Sequence, residues 1–461
     1  MIKRCSYNKN LSEWNEWREN YPEIKIELQG TGFYKAHLVG ANLKDAHLEG
    51  VDFTGANLEN ANFTGALLNR ALFEDSIFSK QTIFNNAKLQ KSTWSEGVDL
   101  QELNFKYAEF QEANLSFANF QGASVGGAHF EEATLIGANF KSMPDEKIYT
   151  KLQTVHFNGA MLTGAIFDNN YLCNIYFEQA NNGKQTILKM AHFCNSRIEN
   201  STNFKNADMS SVVITNSIIS GVNFEGADLI YATLEGTSIE SYKDIKTNLK
   251  SSNFTGATVN GKTKIHDCEI DENTNFTMVG IDSAGIEPSL LAALKTNIRR
   301  ITWNKYYDEQ KKLRWGKIKI APIRFFWLLS DYGSNTVTIF KAFLAVSLSF
   351  TLIYLVIAYL NPDPAAVLSN LKITGNWWLN FMSAFSFAVS TMVTLGFGGI
   401  NVTIQESAPW ATFFALFFVT SNLMIGYFIL AVLVTRLGIL FQSLAPEQKI
   451  KHEKDENTNE D

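Results

Sequence analysis

The first half of the chain repeats a pattern every five residues. Over residues 36–78 a large apolar side chain occupies every fifth position, and a small residue lies two positions before it, as in "AHLVG ANLKD AHLEG VDFTG". A period of five fits neither the 3.6 period of an amphipathic helix nor the alternation of a strand. It fits a coil that turns a corner every five residues and points one large and one small apolar side chain inwards from each side. The pattern therefore predicts stacked coils that share one core.

This pattern resembles the pentapeptide-repeat family, whose fold is a right-handed quadrilateral β-helix. It returns as "ANLSF ANFQG" from Ala113 and as "VNFEG ADLIY ATLEG" from Val222. The resemblance predicts a mainly β domain over residues 36–285. The open ends of such a stack must be covered, and we assign these caps to residues 1–35 and to a helix that starts at Pro288.

Two long apolar stretches follow the repeats. Residues 342–360 run for 19 positions without a charge, and residues 408–435 run for 28. A helix needs about 20 apolar residues to cross a bilayer. We therefore expect a helical domain over 336–441 that crosses the membrane twice, with spans at 336–360 and 408–435. The alternative is a pair of buried helices in a large soluble core.

Basic residues are concentrated before the first apolar stretch. Nine Lys and Arg lie between Arg299 and Arg324, whereas the joining segment 361–407 carries only Lys372. Positive charge favours the cytoplasmic side. We therefore expect a multi-pass protein of the cell membrane with a cytoplasmic β-helix and both termini in the cytoplasm. The segment 286–335 is expected to combine a helical cap with a linker that contacts anionic lipid headgroups; nucleic acid is the alternative partner, which we do not favour.

A glycine-rich segment lies between the two apolar stretches. The sequence "NWWLNFMSAFSFAVSTMVTLGFGGI" predicts a short helix over 377–390 and an irregular segment over 391–399. Non-helical backbone at membrane depth is tolerated only where protein buries it or where it lines a water-filled path. The irregular segment resembles the Thr-Val-Gly-Tyr-Gly filter of potassium channels at Thr394, Leu395, Gly396, Phe397 and Gly398.

The resemblance to potassium channels implies a function and an assembly. The backbone carbonyls of Thr394, Leu395, Gly396 and Phe397 would replace the hydration shell of K⁺. Four chains would have to surround one axis, which implies a homotetramer. Gly399 stands where that family usually has Asp, so a nonselective cation channel of the same architecture remains an alternative. The K⁺ ion is the transported substrate, and no cofactor is expected.

Two residues of the second apolar stretch are candidates for a pore role. Asn422 and Gly426 are four residues apart and therefore share one face of a helix. We expect Asn422 to line a water-filled cavity and Gly426 to act as a hinge. Helix–helix packing through Asn and a small residue is the alternative.

The charge of the repeat region leaves further alternatives open. Residues 36–280 carry 28 Asp and Glu against 18 Lys and Arg. An acidic rod can mimic DNA in some pentapeptide-repeat proteins, but that role requires no membrane spans. The repeat slips at 141–154 and 181–185, and we expect surface loops there that could dock an unknown ligand or protein. A membrane-anchored interaction scaffold is therefore the other alternative.

The remaining chemistry is sparse. No Ser/His/Asp, Cys/His or paired-carboxylate arrangement stands out, so we expect no enzyme. The four cysteines lie far apart without a CxxC pair. They predict reduced thiols rather than a disulfide framework or a zinc site. The polar tail 442–461 is expected to be disordered.

Overall fold

The structure divides into two compact units, residues 1–302 and residues 303–461. It is a computed structural model, and it describes Arg324 and the ranges 1–143, 150–313, 336–360, 375–393 and 409–443. The predicted filter residues and most of the predicted tail lie outside these described residues.

The first unit contains a β-solenoid with four sides to each turn. Gly32 pairs in parallel with Asp52, and the interval of 20 residues corresponds to four five-residue sides. The interval lengthens where the repeat slips, reaching 27 residues between Thr134 and Met161. Eleven turns separate the stacked positions of this ladder, which are Gly32, Asp52, Leu72, Thr93, Asn114, Thr134, Met161, Ile187, Asp208, Asp228, Asn253 and Asn275.

Most rungs of the solenoid are single bridges, and a few extend into short strands. The strands are β1 (Leu72–Phe73), β2 (Thr93–Trp94), β3 (Tyr171–Cys173), β4 (Arg197–Glu199), β5 (Ile218–Ser220), β6 (Ser238–Glu240), β7 (Thr247–Asn248), β8 (Lys264–Ile265), β9 (Cys268–Glu269) and β10 (Gly285–Ile286). Six of these strands form one parallel sheet in the order β10-β8-β6-β5-β4-β3.

The core of the solenoid consists of stacked apolar side chains. Phe120, Phe140 and Phe167 are fully buried and lie one above another, with ring centroids 4.7 and 5.0 Å apart and almost parallel planes. The small inward positions, such as Ala138 and Ala165, are equally buried. No single coil could bury its apolar face alone, so the stack supplies the core that each repeat lacks.

Some inward positions carry Ser or Thr instead of Ala. Their hydroxyls donate to backbone carbonyls of the preceding coil, as Thr82 Oγ1 does to Leu58 O at 3.0 Å and Ser217 Oγ does to Phe193 O at 2.7 Å. A buried hydroxyl without a partner would cost free energy. These hydrogen bonds explain why the repeat tolerates polar residues in its interior.

Helices α1 (Ile2–Tyr7) and α2 (Ser12–Asn20) cover the first coil, as predicted for the N-terminal cap. Trp14 Nε1 donates to Asn42 O at 3.1 Å, and Asn15 Nδ2 donates to Gly40 O at 2.9 Å. These carbonyls would otherwise form an open edge. The predicted boundary at residue 36 is too late, however, because the coil already pairs at Glu27 with His47.

Helix α3 (Pro288–Lys311) starts at the predicted proline and covers the last coil. Leu290 and Leu294 are buried in the solenoid core. Asn297 Nδ2 donates to Asp271 O at 2.6 Å and to Thr274 O at 3.2 Å. The second open edge is therefore closed by apolar contact and by hydrogen bonds.

The described part of the second unit holds three packed helices, α4 (Thr336–Leu360), α5 (Trp377–Val393) and α6 (Pro409–Ser443). The bounds of α4 coincide with the predicted first span. Helix α5 starts at Trp377 as expected but continues three residues beyond the predicted end, and α6 extends eight residues beyond residue 435. The segments Ile339–Tyr359 and Phe413–Ala431 are long and apolar enough to cross a membrane.

Candidate functional site

The predicted filter lies between the ends of two described helices. Thr394, Leu395, Gly396, Phe397 and Gly398 are themselves outside the described residues. Helix α5 ends at Val393, directly before this segment, and α6 begins at Pro409. The local geometry that bears on the filter is therefore the way in which α5 is held.

The last turn of α5 packs closely against α6. A β-carbon at Gly426 would lie 2.5 Å from Met392 O and 2.6 Å from Met392 Cα. Only glycine permits this approach without displacement of a backbone. From the other side, Ser347 Oγ of α4 lies 3.3 Å from Met392 Sδ. Met392 is therefore held between α4 and α6 one residue before the end of α5.

Asn422 links all three helices. Its Nδ2 donates to Tyr354 Oη of α4 at 3.1 Å and to Ala388 O of α5 at 3.2 Å. Tyr354 also packs its ring edge-on against Phe387 of α5, with centroids 4.8 Å apart. Asn422 is fully buried, and its Oδ1 accepts no hydrogen bond within the described residues.

The contacts of Asn422 and Gly426 within one chain are those that the packing alternative expects, because both residues face α5. Gly426 also lines an apolar cavity of about 330 Å³ between α4, α5 and α6. The roles of Asn422 as a cavity-lining residue and of Gly426 as a hinge stay predictions. The shared helix face was read correctly from the spacing. The pattern did not reveal which neighbour the face contacts, because Asn and Gly serve packing and cavities equally well.

The segment predicted as irregular begins later than expected. Thr391, Met392 and Val393 lie in α5, and Thr391 Oγ1 donates to Phe387 O at 2.8 Å. A threonine that bonds back in this way is compatible with a helix. The last carbonyls of α5 lack partners within the helix and carry the negative end of its dipole. They can stabilise a cation placed beyond Val393.

A polar groove of about 720 Å³ lies on the first compact unit, residues 1–302, which we call the repeat unit. It lies beside the predicted slip at 141–154. Lys106, Lys151 and Arg197 line it, and Arg197 forms an ion pair with the buried Glu199. No acidic residue is among the described residues that line it. Ser124 is buried there, and its Oγ has no hydrogen-bond partner in the described part of the chain. The groove suits a polar or anionic group.

A second cluster on the repeat unit joins two histidines and a glutamate. His129 and His156 stack with centroids 4.6 Å apart and an interplanar angle of 4°. His129 Nδ1 lies 2.8 Å from Glu131 Oε1. This hydrogen bond raises the pKa of His129, whereas burial lowers the pKa of His156.

A third cluster combines Asp168, His192 and Cys194. Here Asp168 Oδ1 already accepts the backbone N–H of Cys194 at 2.7 Å. Burial raises the pKa of the Cys194 thiol, so the thiolate that binds metals is disfavoured. This cluster is therefore the weaker of the two groups with metal-ligand chemistry.

Comparison with known proteins identifies the type of repeat in the repeat unit. The family profile described as pentapeptide repeats matches residues 33–75, 113–142 and 207–241, in eight copies. The chain contains pentapeptide repeats. No curated protein matches it.

Two solved structures are similar to the pentapeptide-repeat unit. One is HetL, a pentapeptide repeat protein involved in heterocyst differentiation regulation from the cyanobacterium Nostoc sp. strain PCC 7120, with 18% identity, a TM-score of 0.25, and coverage of 59% of this chain and 93% of HetL. The other is full-length QnrB1, a plasmid-mediated fluoroquinolone resistance protein, with 12% identity, a TM-score of 0.14, and coverage of 59% of this chain and 97% of QnrB1.

Sequence reasoning missed the histidine cluster of the pentapeptide-repeat unit. His129 and His156 occupy one outward ladder, together with His47 and Glu109. They are 27 residues apart instead of 20, because the slip at 141–154 lies between them. The ladder places the two histidines next to each other, but the inserted residues remove the 20-residue spacing that would have indicated this from the sequence.

Proposed function

We propose that the chain forms a homotetrameric cation channel, selective for K⁺, that conducts through the backbone carbonyls of Thr394, Leu395, Gly396 and Phe397. The observation that carries this proposal is the position of α5. This helix is wedged between two helices capable of spanning a membrane, and it ends at Val393, next to the Thr-Leu-Gly-Phe-Gly sequence. A carbonyl filter requires this order of elements: a span, a short helix, a glycine-rich segment and a second span.

The packing of the three helices supports the proposal. A filter must hold its carbonyls at fixed positions, which requires a rigid support. Such a support is supplied on the side of α5 that contacts α6. It consists of the hydrogen bonds of Asn422 to α4 and α5 and of the close contact between Gly426 and Met392. The negative end of the α5 dipole favours a cation at the entrance to the filter.

The pentapeptide-repeat unit is the natural candidate for regulating the pore. It is expected on the cytoplasmic side because of the basic residues between Arg299 and Arg324. Its polar groove near Lys106 and Lys151 offers a place for a ligand or a partner. The segment that joins the two units is the covalent path by which such binding would reach α4.

Recordings in planar bilayers test the proposal. The purified chain should give cation currents whose reversal potential in mixed K⁺ and Na⁺ follows the K⁺ gradient, and its mass in detergent should correspond to four chains. A reversal potential near zero under equal and opposite gradients supports the nonselective alternative. Monomeric protein without current supports the scaffold alternative.

A further inference from the structure

His129, Glu131 and His156 form a compact donor set on the surface of the solenoid. Each residue offers one ligand atom, and these atoms all lie within 4.8 Å of one another. Two imidazole nitrogens and one carboxylate oxygen are ligands typical of a zinc site that keeps a position open for water. We propose that these three residues bind a divalent transition-metal ion.

The backbone of the solenoid fixes both histidines. His156 N donates to Ala128 O at 3.0 Å, and Phe130 N donates to His156 O at 2.7 Å. These bonds place the two imidazoles on consecutive coils at one position of the ladder. Tyr176 stacks on the far side of His156, with centroids 4.6 Å apart. Because these hydrogen bonds fix the backbone of both coils, binding requires movement of the side chains but little ordering of the backbone.

One carboxylate oxygen of Glu131 has no hydrogen-bond partner among the described residues. Glu131 Oε1 bonds to His129, while Glu131 Oε2 is shielded from solvent and accepts no hydrogen bond among the described residues. A shielded carboxylate oxygen without a donor is costly. A metal ion bound by the Glu131 carboxylate would replace the proton shared between Glu131 and His129.

The ligand atoms must move closer together to bind one ion. Zinc binds nitrogen and oxygen at about 2.0–2.2 Å, which places neighbouring ligand atoms about 3.4 Å apart in a tetrahedron. The present separations reach 4.8 Å at most. The two imidazoles must also turn out of their parallel stack, because the lone pair of each ring nitrogen lies in the plane of its ring.

The local charge favours a cation over an anion. The negative charges of Glu109 and Glu131 favour positive charge at His129. Those of Glu131 and Glu178 do the same at His156. Imidazole ligands select Zn²⁺, Cu²⁺ or Ni²⁺ over Mg²⁺ and Ca²⁺, which prefer oxygen. The ion would join the two coils on either side of the slip at 141–154. The interval between His129 and His156 and the interval between Tyr176 and Asn203 are equally long, and they are the longest of this ladder.

Zinc titration of the full-length chain tests the site. The protein is purified in detergent without a histidine tag, and Zn²⁺ is titrated in competition with a chromophoric chelator. We expect one saturable site per chain, with the Zn²⁺ affinity lowered about tenfold or more by His129→Ala, His156→Ala and Glu131→Gln. His47→Ala is the matched control, because His47 lies on the same ladder and pairs with a single glutamate, Glu27.

Two results would overturn the proposal. One is the absence of saturable Zn²⁺ binding by the wild-type chain. The other is a site that survives all three substitutions or that is lost equally with His47→Ala or His192→Ala. Glu131→Gln preserves the size of the side chain and so guards against a folding defect, which circular dichroism of each variant also monitors. X-ray absorption of the zinc-loaded protein should show two imidazoles.

Discussion

The carbonyl oxygen of Met392 and the α-carbon of Gly426 lie so close that a β-carbon at position 426 would be 2.5 Å from that oxygen. The contact joins the last turn of α5 to the middle of α6. It fixes the place where the chain leaves α5 towards the filter sequence. An added methyl group can be accommodated only if one of the two helices moves.

We therefore expect Gly426→Ala to destabilise the helical unit. Overpacking of this kind costs about 1–3 kcal/mol, and it should displace the end of α5 and reduce cation current. Thermal unfolding in detergent and current per reconstituted chain measure the two effects. Met424→Ala, at an exposed position of the same helix, is the control and should change little. Unfolding of Gly426→Ala at the wild-type temperature would contradict the contact.

The phenylalanine stack predicts a large cost for cavities in the solenoid. Phe140 is fully buried between Phe120 and Phe167. Phe140→Ala should lower the free energy of unfolding by about 3–5 kcal/mol. Phe117 lies half exposed at a corner of the coil, so Phe117→Ala should cost far less. Chemical denaturation of both variants measures the difference, and equal losses would contradict the assignment of the core.

The last coil should carry a pH-dependent contribution to stability. Burial alone would raise the pKa of Asp271, but hydrogen bonds from the hydroxyl and the amide of Ser251 and from Thr274 lower it to about 2. Because the folded pKa is below the ordinary value, the contribution is present above about pH 4 and is lost as the pH falls towards 2.

Asp271→Asn should remove most of this pH dependence. The amide keeps one acceptor but places a donor where Ser251 Oγ now donates, so we expect a loss of about 1 kcal/mol at neutral pH. Melting temperatures between pH 6 and pH 2 measure the effect. If the melting temperatures of wild type and variant differ by the same amount at pH 6 and at pH 2, the stabilisation by these hydrogen bonds does not depend on the charge of Asp271.

Much of the fold follows from local rules in the sequence. The five-residue period predicted the coil because each side must point the same two positions inwards. The boundary was missed at the N-terminal end, where Ile26 and Thr31 replace the alanines that mark the repeat, although Ile26 and Phe33 are buried like their later counterparts. Large or polar residues at the small position hide the period without preventing the coil.

The arrangement of the helical unit was less predictable. Apolar length indicated α4 and α6, and the helical face shared by Asn422 and Gly426 followed from their spacing. The pairing of Asn422 with Tyr354 and Ala388 depends on how three helices pack, which no local pattern encodes. The extension of α5 through Thr391, whose hydroxyl donates to Phe387 O, was likewise not indicated by a local pattern. The histidine cluster required the ladder register across an insertion.

K⁺ release from liposomes tests the central claim most directly. Vesicles loaded with K⁺ and reconstituted with the wild-type chain should release it faster than protein-free vesicles, and Gly396→Val should abolish the release. Gly375→Val is the matched control, because a β-carbon at Gly375 would meet nothing within 4 Å, and it should conduct like the wild type. Release by Gly396→Val at the wild-type rate, or retention of K⁺ by wild-type vesicles, would contradict conduction through the carbonyls around Gly396.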